Sequence, residues 1–163
     1  VEARRPAALE LYLDLLEEAL AAEPPALKPG AAELVGRVAA SPSAVPALLT
    51  GNVARGARIK LSAAGLWDRF RFGVFGDEAS RRVDLGPIAL ARALETTGRP
   101  YTPEETVVVG DARADVECGR AIGARVVAVA TGRTSAAELR AAGADAVFDS
   151  FADVPSALEA ILD

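Results

Sequence analysis

Residues 107–115, VVVGDARAD, decide the fold of this chain. Three successive valines form a short, β-branched apolar run, which is typical of a buried strand. The run ends at Gly110, which permits a tight turn, and Asp111 follows at the carboxyl end of the strand. Asp115 comes four residues later, in the first turn of the next predicted helix. The stretch therefore predicts a strand-to-helix unit that carries two carboxylates at one end.

Strands and helices alternate on both sides of this stretch. The run 126–130, VVAVA, is apolar on both faces, as expected of a parallel strand covered by helices. The order is typical of an α/β protein with a doubly wound, mostly parallel sheet, whose site lies at the carboxyl ends of the strands. The pattern predicts strands near 45–49, 70–75, 105–109, 125–130 and 145–148, and helices near 7–22, 30–40, 53–64, 87–97, 112–122, 135–142 and 153–162.

Composition limits the chemistry available to the chain. Its 163 residues include one cysteine, no histidine and no methionine, which excludes a Ser-His-Asp triad and a His/Cys zinc site. Any metal ion must therefore be held by oxygen. The net charge is −5, yet residues 51–100 carry nine basic and five acidic side chains. This basic segment either draws a small anion into a cleft or forms a solvated face.

Charge and hydropathy also bear on the partners of the chain. An acidic protein whose basic residues are not interleaved with aromatic ones is not expected to bind nucleic acid. No apolar run reaches the roughly 18 to 20 residues of a membrane span, so we expect no membrane anchor. We expect no signal peptide and a cytoplasmic location. The oligomeric state stays open.

A hydroxyl, a glycine and an amide follow the first predicted strand. Thr50, Gly51 and Asn52 form a strand-to-helix turn, where free backbone N–H groups and a hydroxyl suit an anionic oxygen. An ordinary turn in which Asn52 caps the helix is the alternative. Lys60, within the predicted helix that follows, is interpreted as part of a solvated face, and Cys118 as a small buried residue.

Two further groups are candidate site residues. Asp111 and Asp115 converge near one point, as the carboxylates that bind a hard cation such as Mg²⁺ do. Alternatively, Asp111 caps the helix and Asp115 stabilises its positive end. Arg82, within an Arg-Arg pair ahead of the helix near residue 87, is placed to neutralise a phosphate group.

Taken in chain order, these residues resemble the later motifs of the haloacid dehalogenase-like hydrolase superfamily, in particular its phosphoglycolate-phosphatase-like branch. Thr50 in LLTGN matches the hydroxyl that binds the phosphoryl group in that superfamily. Arg82 stands where the superfamily usually has lysine, and Asp111 and Asp115 match the acids that complete its metal site. The resemblance covers residues 27–162 and implies a Rossmann-like core that uses Mg²⁺.

The same resemblance implies the domain organisation. Residues 1–25 are expected to be the remnant of a helical cap, and residues 26–163 a Rossmann-like core that lacks its first strand. The superfamily's first motif, Asp-x-Asp-Gly-Thr, does not occur in this sequence. We expect an upstream segment of a longer parent protein to supply it. The apolar flank that this strand would cover predicts poor solubility or association of the chain alone.

The implied function is that of a phosphomonoester hydrolase in the parent protein. The resemblance implies that the reaction depends on Mg²⁺ and passes through an aspartyl-phosphate on the enzyme. It also implies that the substrate is a small phosphorylated molecule. Thr50, Gly51, Asn52 and Arg82 would bind substrate, and Asp111 would act with Thr50 and Arg82 in catalysis. Two alternatives stay open: a non-catalytic scaffold, and a receiver-like binding domain, which the order Thr50, Arg82, Asp111 disfavours.

Overall fold

Parallel strands form two separate sheets in the part of the chain that the structure describes. A computed structural model describes residues 4–163, with side chains from residue 7 onward. The strands are β1 (Ala47–Leu49), β2 (Phe72–Val74), β3 (Val107–Gly110), β4 (Arg125–Val129) and β5 (Ala146–Phe148). β1 pairs with β2, and β3, β4 and β5 form a three-stranded sheet in that order. All three pairings are parallel, so the predicted strands are confirmed but divided between two sheets.

Helices connect these strands in the predicted order. Most boundaries lie within two residues of the expected ones, because apolar periodicity marks the middle of an element better than its ends. None of the helices within residues 4–163 is long and apolar enough to cross a bilayer. The helices are α1 (Arg4–Ala22), α2 (Ala31–Ala40), α3 (Ala54–Ala63), α4 (Leu85–Thr97), α5 (Arg113–Ala121), α6 (Ala136–Ala141) and α7 (Val154–Leu162), and 3₁₀ turns lie at Trp67–Arg69, Arg82–Asp84 and Pro103–Glu105.

The three-stranded sheet is covered on both faces. Because successive side chains of a strand point to opposite faces, Val126 and Val127 of β4 enter different cores. Val127 packs with residues of α2 and α7, including Leu34 and Val154. Val126 packs against α5 and α6, where Leu139 is fully buried. This two-sided burial is the doubly wound arrangement that the apolar runs predict.

Helix α1 packs on α3. Leu13 is buried beside Gly56, where a Cβ atom would lie 3.2 Å from Leu13 Cδ2. Arg55 of α3 donates to Glu10 and Asp14 of α1, each at 2.6 Å. The close backbone contact and the ion pairs therefore fix α1 to the rest of the fold. That residues 1–25 are the remnant of a cap stays a prediction.

The edges of β1 and β3 that point away from their partner strands pair with no strand among residues 4–163. Thr50 N donates to Val74 O at 3.0 Å and so faces β2. Because the backbone groups of successive residues point to opposite sides of a strand, the N–H and C=O groups of Leu49 face away from β2. Likewise Arg125 N donates to Thr106 O at 3.1 Å, which leaves the backbone of Val107 and Val109 on the outer edge of β3. Each sheet thus has one open edge next to the candidate site residues.

Candidate functional site

The turn after β1 is held by its own polar groups. Thr50 Oγ1 accepts from Asn52 N at 3.1 Å and from Asn52 Nδ2 at 3.0 Å. The Oδ1 atom of the same amide accepts from Lys60 Nζ at 2.8 Å. The structure therefore gives Lys60 a specific partner in the turn, in place of the solvated helix face expected from the sequence.

Asn52 does not cap helix α3. The N-cap residue of α3 is Val53, whose side chain has no group that could cap the helix. The N–H of Ala54, in the first turn of α3, instead donates to Asp77 Oδ1 at 3.1 Å. Asp77 lies in the loop after β2. The capping alternative for Asn52 is therefore wrong, because the amide is bound within its own turn.

Glycines let two loops meet at this turn. Gly76 N donates to the carbonyl oxygen of Asn52 at 2.8 Å, and a Cβ atom on Gly76 would overlap the carbonyl of Gly51. A Cβ atom on Gly51 would in turn lie 3.2 Å from Arg82 Nη1. Gly76 was not predicted to belong to the site, since its only signal in the sequence is that of a glycine in a loop.

Arg82 joins the two sheets. It begins the 3₁₀ turn Arg82–Asp84, and its Nη2 donates to Leu49 O at 3.2 Å on the open edge of β1. The same Nη2 also donates to Asp115 Oδ1. Nε is buried and has no hydrogen-bond partner among the residues described, while Nη1 faces Gly51. One guanidinium therefore connects the end of β1 to the start of α5.

Asp115 is buried and fully engaged. Its side chain is 7% exposed, and its Oδ2 accepts from the backbone N–H groups of Asp111 and Ala112, both at 3.1 Å. Ala112 is the N-cap of α5, so Asp115 caps its own helix from the first turn. The alternative in which Asp111 caps the helix is wrong.

Gly110 leaves room for the Asp115 carboxylate because it has no side chain. A Cβ atom on Gly110 would overlap the Asp115 carboxylate, and Gly110 is not among the glycines with positive φ. Gly110 is therefore not required at this turn for a positive φ. It is needed for space, because Asp115 folds back over the end of β3.

Asp111 is the free carboxylate of the site. It is exposed, and no described residue forms a hydrogen bond with its side chain. The loop after β4 approaches it through Gly132, where a Cβ atom would overlap Asp111 Oδ2. This geometry leaves an oxygen ligand open at the carboxyl ends of β3 and β4.

Of the two site carboxylates, only Asp111 has oxygen atoms that are free to bind a hard cation. Mg²⁺ keeps several waters and commonly takes one or two protein carboxylates with phosphate oxygens. Asp111 offers such an oxygen, whereas both oxygens of Asp115 are already bonded. Within residues 4–163, no group of three or more His, Cys, Asp or Glu side chains is arranged to hold a metal ion. Asp115 as a metal ligand stays a prediction that requires its contact with Arg82 to be exchanged.

Two neighbouring residues lie outside this network. Arg81 pairs with Asp84 at 2.7 Å, and this hydrogen-bonded guanidinium lowers the pKa of Asp84. Cys118 is fully buried, and burial raises the pKa of its thiol, as expected for a structural cysteine. The site therefore consists of the turn 50–52, Arg82 and the turn 110–115.

Part of the chain matches a known family, and most of it is similar in fold to solved structures. Residues 84–154 match the family model described as HAD-hydrolase-like. CbbY from Rhodobacter sphaeroides in complex with phosphate is 24% identical with a TM-score of 0.70, and the match covers 88% of this chain and 63% of that one. A putative beta-phosphoglucomutase from Thermotoga maritima is 26% identical with a TM-score of 0.66, covering 82% of this chain and 60% of that one.

A predicted phosphoglycolate phosphatase from Haemophilus somnus 129pt is 21% identical with a TM-score of 0.66, covering 80% of this chain and 56% of that one. The chain thus spans 56 to 63% of the length of these three structures. No curated protein sequence matches the chain significantly. The family match over residues 84–154 and the Rossmann-like fold shared with these structures make the chain similar to haloacid dehalogenase-like hydrolases.

Proposed function

We propose that this chain is the phosphate- and Mg²⁺-binding part of a phosphomonoester hydrolase. The observation that carries the proposal is the position of Arg82. Its guanidinium lies between the turn after β1 and the turn after β3, with Nη1 facing Gly51. A cation at the shared carboxyl end of parallel strands is placed to bind an anionic ligand.

The turn 50–52 would bind the phosphoryl group of the substrate. The Thr50 hydroxyl, the backbone at Gly51 and the amide of Asn52 supply neutral polar groups, and Arg82 Nη1 supplies charge. CbbY, which is similar in fold, is described in complex with phosphate and with xylulose-1,5-bisphosphate. A small phosphorylated substrate is the corresponding proposal for this chain.

Asp111 would hold Mg²⁺, with Asp115 the second predicted ligand. When bound, the cation would offset the negative charge of the phosphoryl oxygens. Asp111 is suited to this role because its carboxylate is exposed and forms no hydrogen bond with a described residue. Asp115 orients the backbone of Asp111 through Oδ2 and holds Arg82 through Oδ1.

The nucleophile of the proposed reaction would come from outside residues 1–163. The sequence contains no Asp-x-Asp run, and an aspartyl-phosphate requires such a carboxylate. We propose that a strand carrying it inserts between β1 and β3, and that residues 1–25 are the remnant of a cap on the core 26–163. Support comes from the open edges at Leu49 and Val109, which flank the position where the new carboxylate would be needed.

A non-catalytic phosphate-binding scaffold is the second candidate, favoured by the missing Asp-x-Asp run. Nuclear magnetic resonance of the 163-residue chain tests the binding that both candidates share. Inorganic phosphate is expected to shift the backbone amides of Gly51 and Asn52, and Mg²⁺ the amide of Asp111. Asp111→Asn should remove the Mg²⁺ response, whereas the exposed control Asp68→Asn should keep it. Unshifted amides would contradict the proposal.

Hydrolysis separates the two candidates. Turnover of a generic phosphomonoester is measured for this chain and for a longer form that includes an Asp-x-Asp strand. The hydrolase proposal expects Mg²⁺-dependent turnover in the longer form and its loss in Asp111→Asn. Phosphate binding without turnover in the longer form supports the scaffold.

A further inference from the structure

We propose that Lys60 is a positioning residue that makes the Thr50 hydroxyl a hydrogen-bond donor toward the ligand. The inference rests on the proposed phosphate-binding function and assigns the residue that prepares that turn. Two hydrogen bonds support the proposal: Lys60 Nζ donates to Asn52 Oδ1 at 2.8 Å, and Asn52 Nδ2 donates to Thr50 Oγ1 at 3.0 Å.

Lys60 fixes the orientation of the Asn52 side-chain amide. An ammonium group only donates hydrogen bonds, so the atom of Asn52 that faces Lys60 must be the oxygen. The amide nitrogen then faces Thr50 Oγ1 and donates to it. Without Lys60, the two ends of the amide are nearly equivalent in shape, and nothing on α3 selects between them.

The Asn52 amide in turn fixes the direction of the Thr50 hydroxyl. A hydroxyl has one donor hydrogen and two acceptor lone pairs. Both lone pairs are used, since Oγ1 accepts from Asn52 N and from Asn52 Nδ2. The hydroxyl hydrogen therefore points away from Asn52, and only an acceptor can bind there. A phosphoryl oxygen has that chemistry, whereas an ammonium or amide N–H group does not.

Lys60 differs from the other cations of α3 in its partner. Arg55 is paired with acidic residues of α1, and Arg58 lies over the ring of Trp67. Lys60 is half-buried and forms no ion pair with any residue from 7 to 163. Its charge is therefore directed at the amide of the turn and adds positive potential beside Thr50.

The test uses the 163-residue chain with inorganic phosphate as the probe, with and without Mg²⁺. The Asn52 side-chain NH₂ resonances are recorded in the free protein, and phosphate affinity is then measured by titration. The variants are Lys60→Met, the conservative Lys60→Arg and the control Arg58→Met, which removes one positive charge from the same helix without touching the turn.

We expect a different result for each of the three variants. Lys60→Met moves the Asn52 NH₂ resonances in the free protein and weakens phosphate binding about tenfold. Lys60→Arg restores much of both signals, because a guanidinium also donates to Oδ1. Arg58→Met leaves the Asn52 resonances in place and changes the affinity less than twofold.

Three results would each overturn a part of the proposal, and they are distinguishable from one another. Unchanged Asn52 resonances and unchanged affinity in Lys60→Met would refute the role of Lys60. Equal losses in Lys60→Met and Arg58→Met would also refute it, because they indicate a general effect of charge. If Asn52 responds to Lys60→Met but wild-type chain binds no phosphate in either condition, the proposed function fails while the contact stands.

Discussion

The carboxylate of Asp115 lies so close to the α-carbon of Gly110 that a side chain at residue 110 would occupy the same space. Asp115 uses this position to accept two backbone N–H groups and to contact Arg82. The smallest residue of the motif thus controls whether the buried acid can reach its partners.

Gly110→Ala is expected to destabilise the chain by about 2 to 3 kcal/mol, because the displaced carboxylate loses hydrogen bonds within a buried site. Urea unfolding measures the loss. The control is Gly36→Ala, since a Cβ atom added to that helical glycine would have no heavy atom within 4 Å. It should be neutral or stabilising by up to about 1 kcal/mol. Equal effects of the two substitutions would contradict the steric explanation.

Arg82→Lys is expected to cost about 1 kcal/mol or less, whereas Arg82→Met should cost about 3 kcal/mol. Both hydrogen bonds of Arg82 come from Nη2, so one ammonium nitrogen can replace them. Methionine would leave Asp115, with a side chain only 7% exposed, without its cation. Chemical unfolding of both variants checks the order, and equal losses would show that the charge on residue 82 is unimportant.

A double-mutant cycle tests the same pair more directly. In an Asp115→Asn background, Arg82→Met should cost at least about 1 kcal/mol less than in the wild-type chain, because no carboxylate is left unpaired. Additive effects would place the contribution of Arg82 in its bond to Leu49 O instead.

Glu78→Gln is expected to lower stability at pH 7 by about 1 kcal/mol and to have less effect in acid. The hydrogen-bonded guanidinium of Arg92, together with the N–H of Phe75, holds the pKa of Glu78 below its usual 4.5. A lowered folded-state pKa contributes stability above about pH 5, and that contribution is lost as the pH falls through the lowered pKa.

Thermal unfolding from pH 7 to pH 3 measures this dependence. The difference between the wild-type chain and Glu78→Gln should shrink as the pH falls below about 5. Glu18→Gln is the control, since that exposed acid has no ion-pair partner among the residues described. A difference that stays constant with pH would contradict the assignment.

Val109→Lys is expected to reduce association of the chain. Val109 is 43% exposed and lies on the open edge of β3, and a lysine on an edge strand opposes strand pairing between copies. The control is Leu94→Lys, because Leu94 is 45% exposed but lies on helix α4. Sedimentation velocity measures the distribution of species. A monomeric wild-type chain, or equal effects of both lysines, would contradict a role for this edge.

The order of helices and strands was predictable because each element has a clear apolar period. The run around Val126 and the alternation on its two faces identify a parallel strand covered by helices. The division into two sheets was not predictable in the same way, since pairing depends on which strands are neighbours in space. The 3₁₀ turn that begins at Arg82 also gives no periodic signal.

The site residues were predictable as positions, and their contacts were not. Chain order placed Thr50, Arg82 and Asp111 at strand ends, but the burial of Asp115 depends on the size of residue 110 and on Arg82. Lys60 resembles any helical lysine in the sequence. Its bond to Asn52 follows from the angle at which α3 leaves the turn, which no local pattern encodes.

The unequal distribution of buried side chains has a consequence for folding kinetics. Both large apolar clusters surround the three-stranded sheet, and most of their residues lie between 107 and 161. Contacts that are close in sequence form early, so this half is expected to assemble first and the β1–β2 hydrogen bonds later. Arg82 can reach Leu49 and Asp115 together only after that docking. Hydrogen exchange should therefore detect partial opening in which the sheet β3–β5 stays protected while the ligand-binding turn is lost.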